Sequence, residues 1–289
     1  MRILVTNDDG IHSEGLHALA AAVVESGHEA VVAAPSSDWS GASACLGPLE
    51  DPKRVSVERV DVPVSRGSTV TGFSVGAPPA LISMLADLGG FGEPPEMVVA
   101  GINRGPNTGR STLFSGTIGA VLSGERFGWS GMAVSLDVDV DDAVSSDVGA
   151  SDVEVSGGDG RRGLHWGTAA DLARSVLPWL VAAPPRTILN LNVPDAPLSE
   201  VRGLRSAGLA PVGGVRTVII GSDDHGLDLD LIANDRPVPE GTDSALLRTG
   251  WATITSLVPT SAVGMALPLA EWSASWLDVD PEAGTTVGP

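Results

Sequence analysis

Apolar positions in the first hundred residues fall into short runs separated by stretches of helical spacing. Ile3-Leu4-Val5 is one such run, and Leu16, Leu19, Ala20, Val23 and Val24 follow it at the three-and-four spacing of a single helix face. Glu29 to Ala34 is a second run, stopped at Pro35. Strand, helix, strand in this order is the signature of a parallel α/β sheet. Val55 to Phe73 alternates as strands do, Pro78 to Leu88 predicts a helix with proline in its first turn, and Met97-Val98-Val99-Ala100 predicts a buried strand. Further along, Ile118 to Leu122 predicts a helix entered through Ser115-Gly116-Thr117, Thr168 to Leu180 another helix, and Ile188 to Val193 a strand ended by Pro194. Strand-like segments recur near Arg216 to Ile220 and Trp251 to Leu257. The pattern therefore predicts an α/β core with a mostly parallel sheet over residues 1–200 and a strand-rich C-terminal extension over 201–289.

One stretch breaks this alternation. From Asp137 to Gly160 the chain turns to Asp, Ser, Gly and Val, and residues 139 to 160 read as a solvated, acidic insertion in the core domain. Asp137, Asp139 and Asp141 have the spacing of a calcium loop, but Asp142 stands where that loop needs glycine and Val148 where it needs glutamate, so the flexible-loop reading is preferred.

Composition narrows the function. A chain of 289 residues that is 43% hydrophobic can bury a full α/β core and still carry an appendage. Lys and Arg number 17 against 36 Asp and Glu, a net charge of −19 with no basic block, which argues against a nucleic-acid polymer as partner. A small phosphorylated substrate is compatible if a cation and local arginines such as Arg104 and Arg110 offset the repulsion. The single cysteine, Cys45, excludes an intrachain disulfide and a Cys-rich zinc site. No apolar run reaches about 18 residues and the chain opens directly on a strand, so a cytoplasmic protein with no membrane partner is expected.

Asn7-Asp8-Asp9-Gly10 sits at the carboxyl end of the first strand, where open α/β sheets gather their ligands. Adjacent carboxylates there either share a cation or divide, one holding it and one serving the reaction, and both uses suit hydrolysis. A plain Asp-Asp-Gly turn is the alternative. The loop Gly101-Ile102-Asn103-Arg104-Gly105-Pro106-Asn107-Thr108-Gly109 is rich in glycine and amides, so its backbone can approach a ligand closely. Ser115 and Thr117 place two hydroxyls at a helix N-terminus, a favourable anion site. His12 is a candidate general acid or a hydrogen-bonded loop residue. No G-x-G-x-x-G follows the first strand, which sets dinucleotide chemistry aside.

Several segments together resemble one family, the SurE survival-protein nucleotidases, metal-dependent phosphatases of nucleoside monophosphates. They are Met1 to Ile11, Ser40-Gly41-Ala42-Ser43, Gly101 to Asn107, Phe114-Ser115-Gly116-Thr117, Leu191-Asn192-Val193-Pro194, Gly241-Thr242-Asp243 and Trp251-Ala252-Thr253-Ile254-Thr255, in the family's order over residues 1 to 257. The resemblance implies a three-layer Rossmann-like fold. It implies metal ligands at Asp8, Asp9, Ser40 and Asn103, phosphate contacts at Asn107, Ser115, Gly116 and Thr117, and homodimers or homotetramers joined through the C-terminal region. Ligands that are all oxygen suit one Mg²⁺ or Mn²⁺ per subunit. Asp8 and Asp9 become the catalytic residues, Asp9 orienting or deprotonating water, with an aspartyl-phosphate route through Asp8 as the other possibility. The chain departs from the family at Ala77-Pro78-Pro79-Ala80-Leu81, at Phe114 in place of Tyr, and at Ser37-Asp38-Trp39 ahead of Ser40, where Trp39 can stack on a base or pack on its loop. The expected function is hydrolysis of nucleoside 5′- and 3′-monophosphates. A phosphatase for a phosphorylated biosynthetic intermediate and an inactive nucleotide-binding module are the competing readings.

Overall fold

Nine strands make one sheet in the order β3-β4-β2-β1-β5-β6-β7-β11-β8, built from β1 (Arg2–Thr6), β2 (Glu29–Pro35), β3 (Val57–Ser65), β4 (Ser68–Val75), β5 (Met97–Arg104), β6 (Ser130–Asp137), β7 (Ile188–Pro194), β8 (Leu204–Ser206) and β11 (Ala252–Leu257). The structure is a computed structural model that describes residues 1–65, 67–138, 163–223, 225–234 and 236–259. From β4 to β7 neighbouring strands run parallel, while β3 and β11 are antiparallel to their neighbours β4 and β7. The chain leaves β1 for β2 on one side and returns through β5 on the other, so β1 and β5 flank the point where the winding direction reverses. That is where α/β sheets open a crevice for ligands.

Helices cover both faces because the central strands alternate apolar side chains between two cores. Ile3, Val5, Val99 and Val134 face Leu16, Leu19 and Val23 of α1 (Glu14–Glu25) and Ala173 and Leu177 of α4 (Trp166–Ala182). Leu4, Val98, Ala100 and Ala133 face Ile82 of α2 (Pro79–Asp87) and Ile118 and Val121 of α3 (Gly116–Glu125). Each fully buried Leu or Ile of these layers contributes about 1.5–3 kcal/mol from loss of contact with water. The result is the mostly parallel α/β sheet expected from the pattern, in the three-layer arrangement that the family resemblance implies.

The hydrophobic pattern does not single out β6. Ser130, Gly131 and Ser135 interrupt its apolar run, and the strand is buried because β5 and β7 enclose it. The strands past residue 200 divide between two sheets. β8 and β11 complete the main sheet beside β7, whereas β9 (Val215–Ser222) and β10 (Leu227–Ala233) pair only with each other. A short helix, α5 (Asp243–Leu247), leads into β11. The acidic insertion, with Asp139 and Asp141 of the calcium-like spacing, lies outside the described residues. Among the described residues no helix is long and apolar enough to cross a membrane.

Candidate active site

The turn after β1 is closed by Asn7, which is fully buried. Its Nδ2 donates to the Gly10 carbonyl at 3.0 Å and to Ser13 Oγ at 2.7 Å, and its Oδ1 accepts the Gly10 N–H at 3.2 Å. Ser13 in turn caps α1 by accepting from the Leu16 N–H. Asn7 thereby fixes the turn that presents Asp8 and Asp9. Sequence reasoning did not assign it a role, although an Asn three residues before a turn glycine is the signal for such a closure.

Asp8 is 3% exposed and faces the start of α3. Thr117 Oγ1 donates to Asp8 Oδ1 at 2.5 Å, and the Thr117 backbone N–H also serves this carboxylate. Gly116 lies so close that a Cβ there would stand 2.8 Å from Asp8 Oδ2, so only glycine lets the helix end approach the carboxylate. Burial pushes the Asp8 carboxyl up to about 6, against the opposing hydrogen bond from Thr117, with the charge of Asp38 adding to the rise. Asp9 is raised well above the ordinary carboxylate range, first by burial and then by the charges of Asp8 and Asp38, while the Arg104 backbone N–H opposes the shift. Asp9 Oδ2 is buried and has no hydrogen-bond partner among the described residues.

Buried Asp8 stands beside half-buried Asp9, whose Oδ2 is buried without a partner among the described residues, and the pair leaves a deficit of positive charge. A divalent cation fits that deficit. Among the described residues no cluster of three or more His, Cys, Asp and Glu side chains could hold a metal, so a complete ligand set at this place has to include neutral oxygens such as those of Ser and Asn.

Ser40 and Asn103, the expected neutral ligands, lie on the second and third loops. Trp39, half-buried, donates its backbone N–H to the Asp8 carbonyl at 2.9 Å and so ties the second loop to the first. Ser40 follows, exposed, with its N–H on Asp38 Oδ1 at 2.6 Å. Asn103 stands on β5 just past a register shift between Ala100 and Asn103 that breaks the ladder with β6. Gly101 carries that shift with φ of 126°, and a Cβ there would lie 2.2 Å from the Val134 carbonyl. The Asn103 Nδ2 donates to the Gly105 carbonyl at 2.7 Å, which leaves Oδ1 as the atom for a cation. The Arg104 N–H on Asp9 links this loop to the first one.

The expected phosphate positions are partly committed to bonds within the protein. Ser115 Oγ accepts the Ile118 N–H at 3.1 Å as the N-cap of α3, and Thr117 is turned to Asp8. Asn107 Nδ2 donates to Ser135 Oγ at 2.9 Å, and its backbone is gripped by Asn190 and Asn192 of β7. Sequence reasoning gave those two no function. Their signal was present, since two asparagines at alternate positions interrupt the otherwise apolar Ile188 to Val193. His12 is exposed on the turn after Gly10, Arg110 is exposed, and Leu113 and Phe114 stand exposed immediately before Ser115.

These features define a doubly wound α/β protein with a candidate acidic site at the carboxyl edge of the sheet, against a helix N-terminus. The sequence profile described as Survival protein SurE matches residues 3–212, and the chain belongs to that family. It is 34% identical over 278 residues to the 5′-nucleotidase SurE of Aeromonas hydrophila, covering 94% of this chain and 98% of that one. The 5′/3′-nucleotidase SurE of Edwardsiella ictaluri is likewise 34% identical, over 279 residues that cover 94% and 96% of the two chains. The crystal structure of the SurE protein from Aquifex aeolicus shares the fold with a TM-score of 0.63 at 23% identity, over 89% of this chain and 93% of that one.

Proposed function

We propose that this protein is a metal-dependent phosphomonoesterase that hydrolyses nucleoside 5′- and 3′-monophosphates to nucleoside and phosphate. The observation that carries the reading is buried Asp8 beside half-buried Asp9, whose Oδ2 is buried without a partner among the described residues, with Asp8 set against the start of α3. The substrate class follows from the relatives, which are named 5′- and 5′/3′-nucleotidases. Asp8, Asp9, Ser40 Oγ and Asn103 Oδ1 would hold one divalent cation per subunit, and hard oxygen donors favour Mg²⁺ or Mn²⁺. When bound, the cation supplies Lewis acidity toward the phosphoryl oxygens and balances the carboxylate charge.

The chain's own groups do the rest. Ser115 and the Gly116 backbone meet the phosphoryl oxygens at the N-terminus of α3, where unpaired N–H groups and the helix dipole favour an anion. Thr117 belongs to this phosphate-facing end and, through its bond to Asp8, sets that carboxylate relative to the phosphate. Asn107 adds an amide donor to the charge that develops on the equatorial oxygens. Asp9 would accept the proton of the attacking water. The water oxygen bonds to phosphorus, the bond from phosphorus to the nucleoside oxygen breaks, and that oxygen leaves protonated by solvent. Exposed Ile219, Ile220, Leu227 and Leu229 on the β9–β10 hairpin support self-association into a homodimer or homotetramer.

The test is a panel of nucleoside 5′- and 3′-monophosphates and p-nitrophenyl phosphate, assayed after chelation and again with Mg²⁺ or Mn²⁺ restored. Phosphate release from the nucleotides should vanish with chelator and return with either metal. Undiminished turnover after exhaustive metal removal would refute the metal site. Absence of nucleotide turnover at saturating metal would refute the nucleotidase.

A further inference from the structure

Three buried polar residues stand behind the third loop. Asn190 and Asn192 of β7 are two residues apart, on one face of the strand, and both are fully buried. Asn192 brackets Asn107 from both sides, its Oδ1 accepting the Asn107 N–H at 2.8 Å and its Nδ2 donating to the Asn107 carbonyl at 3.1 Å. Asn190 Nδ2 donates to the same carbonyl at 2.7 Å. Two residues along, the Gly109 N–H donates to Asp243 Oδ2 at 2.8 Å. Asp243, fully buried, begins α5, and its Oδ1 accepts the N–H groups of Ala210 and Ser244 at 2.9 and 2.8 Å. One carboxylate thus joins the third loop, the segment around Ala210 and α5 through three N–H donors.

Groups like these are costly to bury. Their neighbours Leu189, Leu191 and Val193 show that β7 packs well with apolar side chains on its other face. The polar layer continues onto β11, where Thr253 and Thr255 sit directly across from Asn192 and Asn190. Their hydroxyls and Asn190 Oδ1 are buried without partners among the described residues. A polar layer kept in a core at that cost needs a use, and every bond it makes to the third loop falls on Asn107 or Gly109.

We infer that Asn190, Asn192 and Asp243 are positioning residues for phosphate binding, fixing residues 107–109 so that the Asn107 amide is aimed before substrate arrives. What the loop binds rests on the nucleotidase reading; what holds it rests on the hydrogen bonds alone. Asn107 Nδ2 carries two hydrogens, of which one meets Ser135 Oγ, so the other serves a phosphoryl oxygen. A donor held from three sides pays little reorganisation when charge develops on that oxygen.

The experiment compares the full chain with its Asn192→Ala and Asp243→Asn variants, each loaded with Mn²⁺. Turnover of AMP and of p-nitrophenyl phosphate should fall together by about tenfold or more, and inhibition by inorganic phosphate should weaken by a similar factor. Mn²⁺ affinity should hold within about twofold, because neither residue touches the carboxylates. Amide hydrogen exchange at Asn107 and Gly109 should accelerate. A folded variant with unchanged turnover and unchanged phosphate inhibition overturns the inference. Loss of Mn²⁺ binding in step with turnover also overturns it, since the residues would then support the whole site. Asp243→Asn keeps the side-chain shape and one acceptor, and decides the matter if Asn192→Ala does not fold. If the wild type hydrolyses no nucleotide, the nucleotidase reading fails alone. Calorimetry of inorganic phosphate on the Mn²⁺-loaded proteins then decides this one, and equal affinity in wild type and variants overturns it.

Discussion

The first and third loops meet at one site but are held by opposite means. The first is closed from within, by Asn7 on Gly10 and Ser13, three and six residues away. The third is held from outside, by Asn190, Asn192 and Asp243, between 83 and 134 residues further along the chain. Short closures cost little chain entropy and form wherever the segment is placed. A loop anchored across the sheet takes its shape only once β7 and α5 are in position. The turn that carries the carboxylates is therefore closed locally, with Trp39, Arg104 and Thr117 joining it from other segments, whereas the proposed phosphate grip at Asn107 depends on assembled tertiary structure.

Substitution at the first loop should give the largest effect. Asp8→Asn keeps the shape and removes one of the two charges offered to the cation, so turnover should fall by about a hundredfold or more while the far-ultraviolet spectrum stays native. Near-normal steady-state rates in that variant would remove Asp8 from the site. Gly116→Ala comes next, because the added carbon would meet Asp8 Oδ2 at 2.8 Å. It should lower kcat by about tenfold through displacement of Asp8, and a crystal structure of the variant should find Asp8 moved or the start of α3 pushed back.

Asn7→Ala tests the local closure itself. It removes a buried side chain that makes three hydrogen bonds, and should destabilise the protein by about 1–3 kcal/mol in urea unfolding. If the first loop is self-sufficient, this variant should speed hydrogen exchange over residues 7–13 and leave residues 105–110 protected. Equal acceleration in both loops would erase the contrast between them.

A smaller effect is expected from pH. Burial raises the Asp8 carboxyl from 3.8 to about 6 in the metal-free folded chain, so between those values the folded state holds a proton that the unfolded chain has released. Stability from this group is full below about pH 4 and is lost as pH rises through 6, the reverse of an ordinary ion-paired aspartate. Cation binding competes with that proton. Added Mn²⁺ should therefore raise Tm more at about pH 7.5 than at about pH 5, and Asp8→Asn should flatten the difference. An Mn²⁺ increment independent of pH in the wild type would detach the shift from the metal site. The smallest effect on the chemistry should come from Ile219→Glu with Leu229→Glu. Sedimentation should report a smaller assembly with the rate per site unchanged, whereas a rate that falls with the assembly would bring the hairpin into the active site.

Much of the site could be read before the fold was known, because the information is local. A strand ending in Asp8-Asp9 and a helix entered through Ser115-Gly116-Thr117 are each defined by a few consecutive residues, and their chemistry follows from residue type. The structure placed these segments against each other through the bond from Thr117 to Asp8, and nothing in the spacing of residues 8 and 117 announces that contact. Asn190 and Asn192 were visible as polar interruptions of a strand, but their target, the Asn107 backbone, lies 83 and 85 residues earlier in the chain. Likewise β6 lacks a continuous apolar run, and β8 and β11 joined the main sheet although they follow residue 200.

Periodicity and turn chemistry thus came from the sequence by itself, and the all-oxygen candidate ligand set from its resemblance to the SurE family. Tertiary structure alone decided which side chains lose their water, which charges confront one another, and which distant groups answer them. The rise of Asp8 and Asp9 and the orphaned Asp9 oxygen belong to that second class. The physical reason is that hydrogen-bonding capacity and backbone preference travel with each residue, whereas desolvation and Coulomb energy depend on everything packed around it.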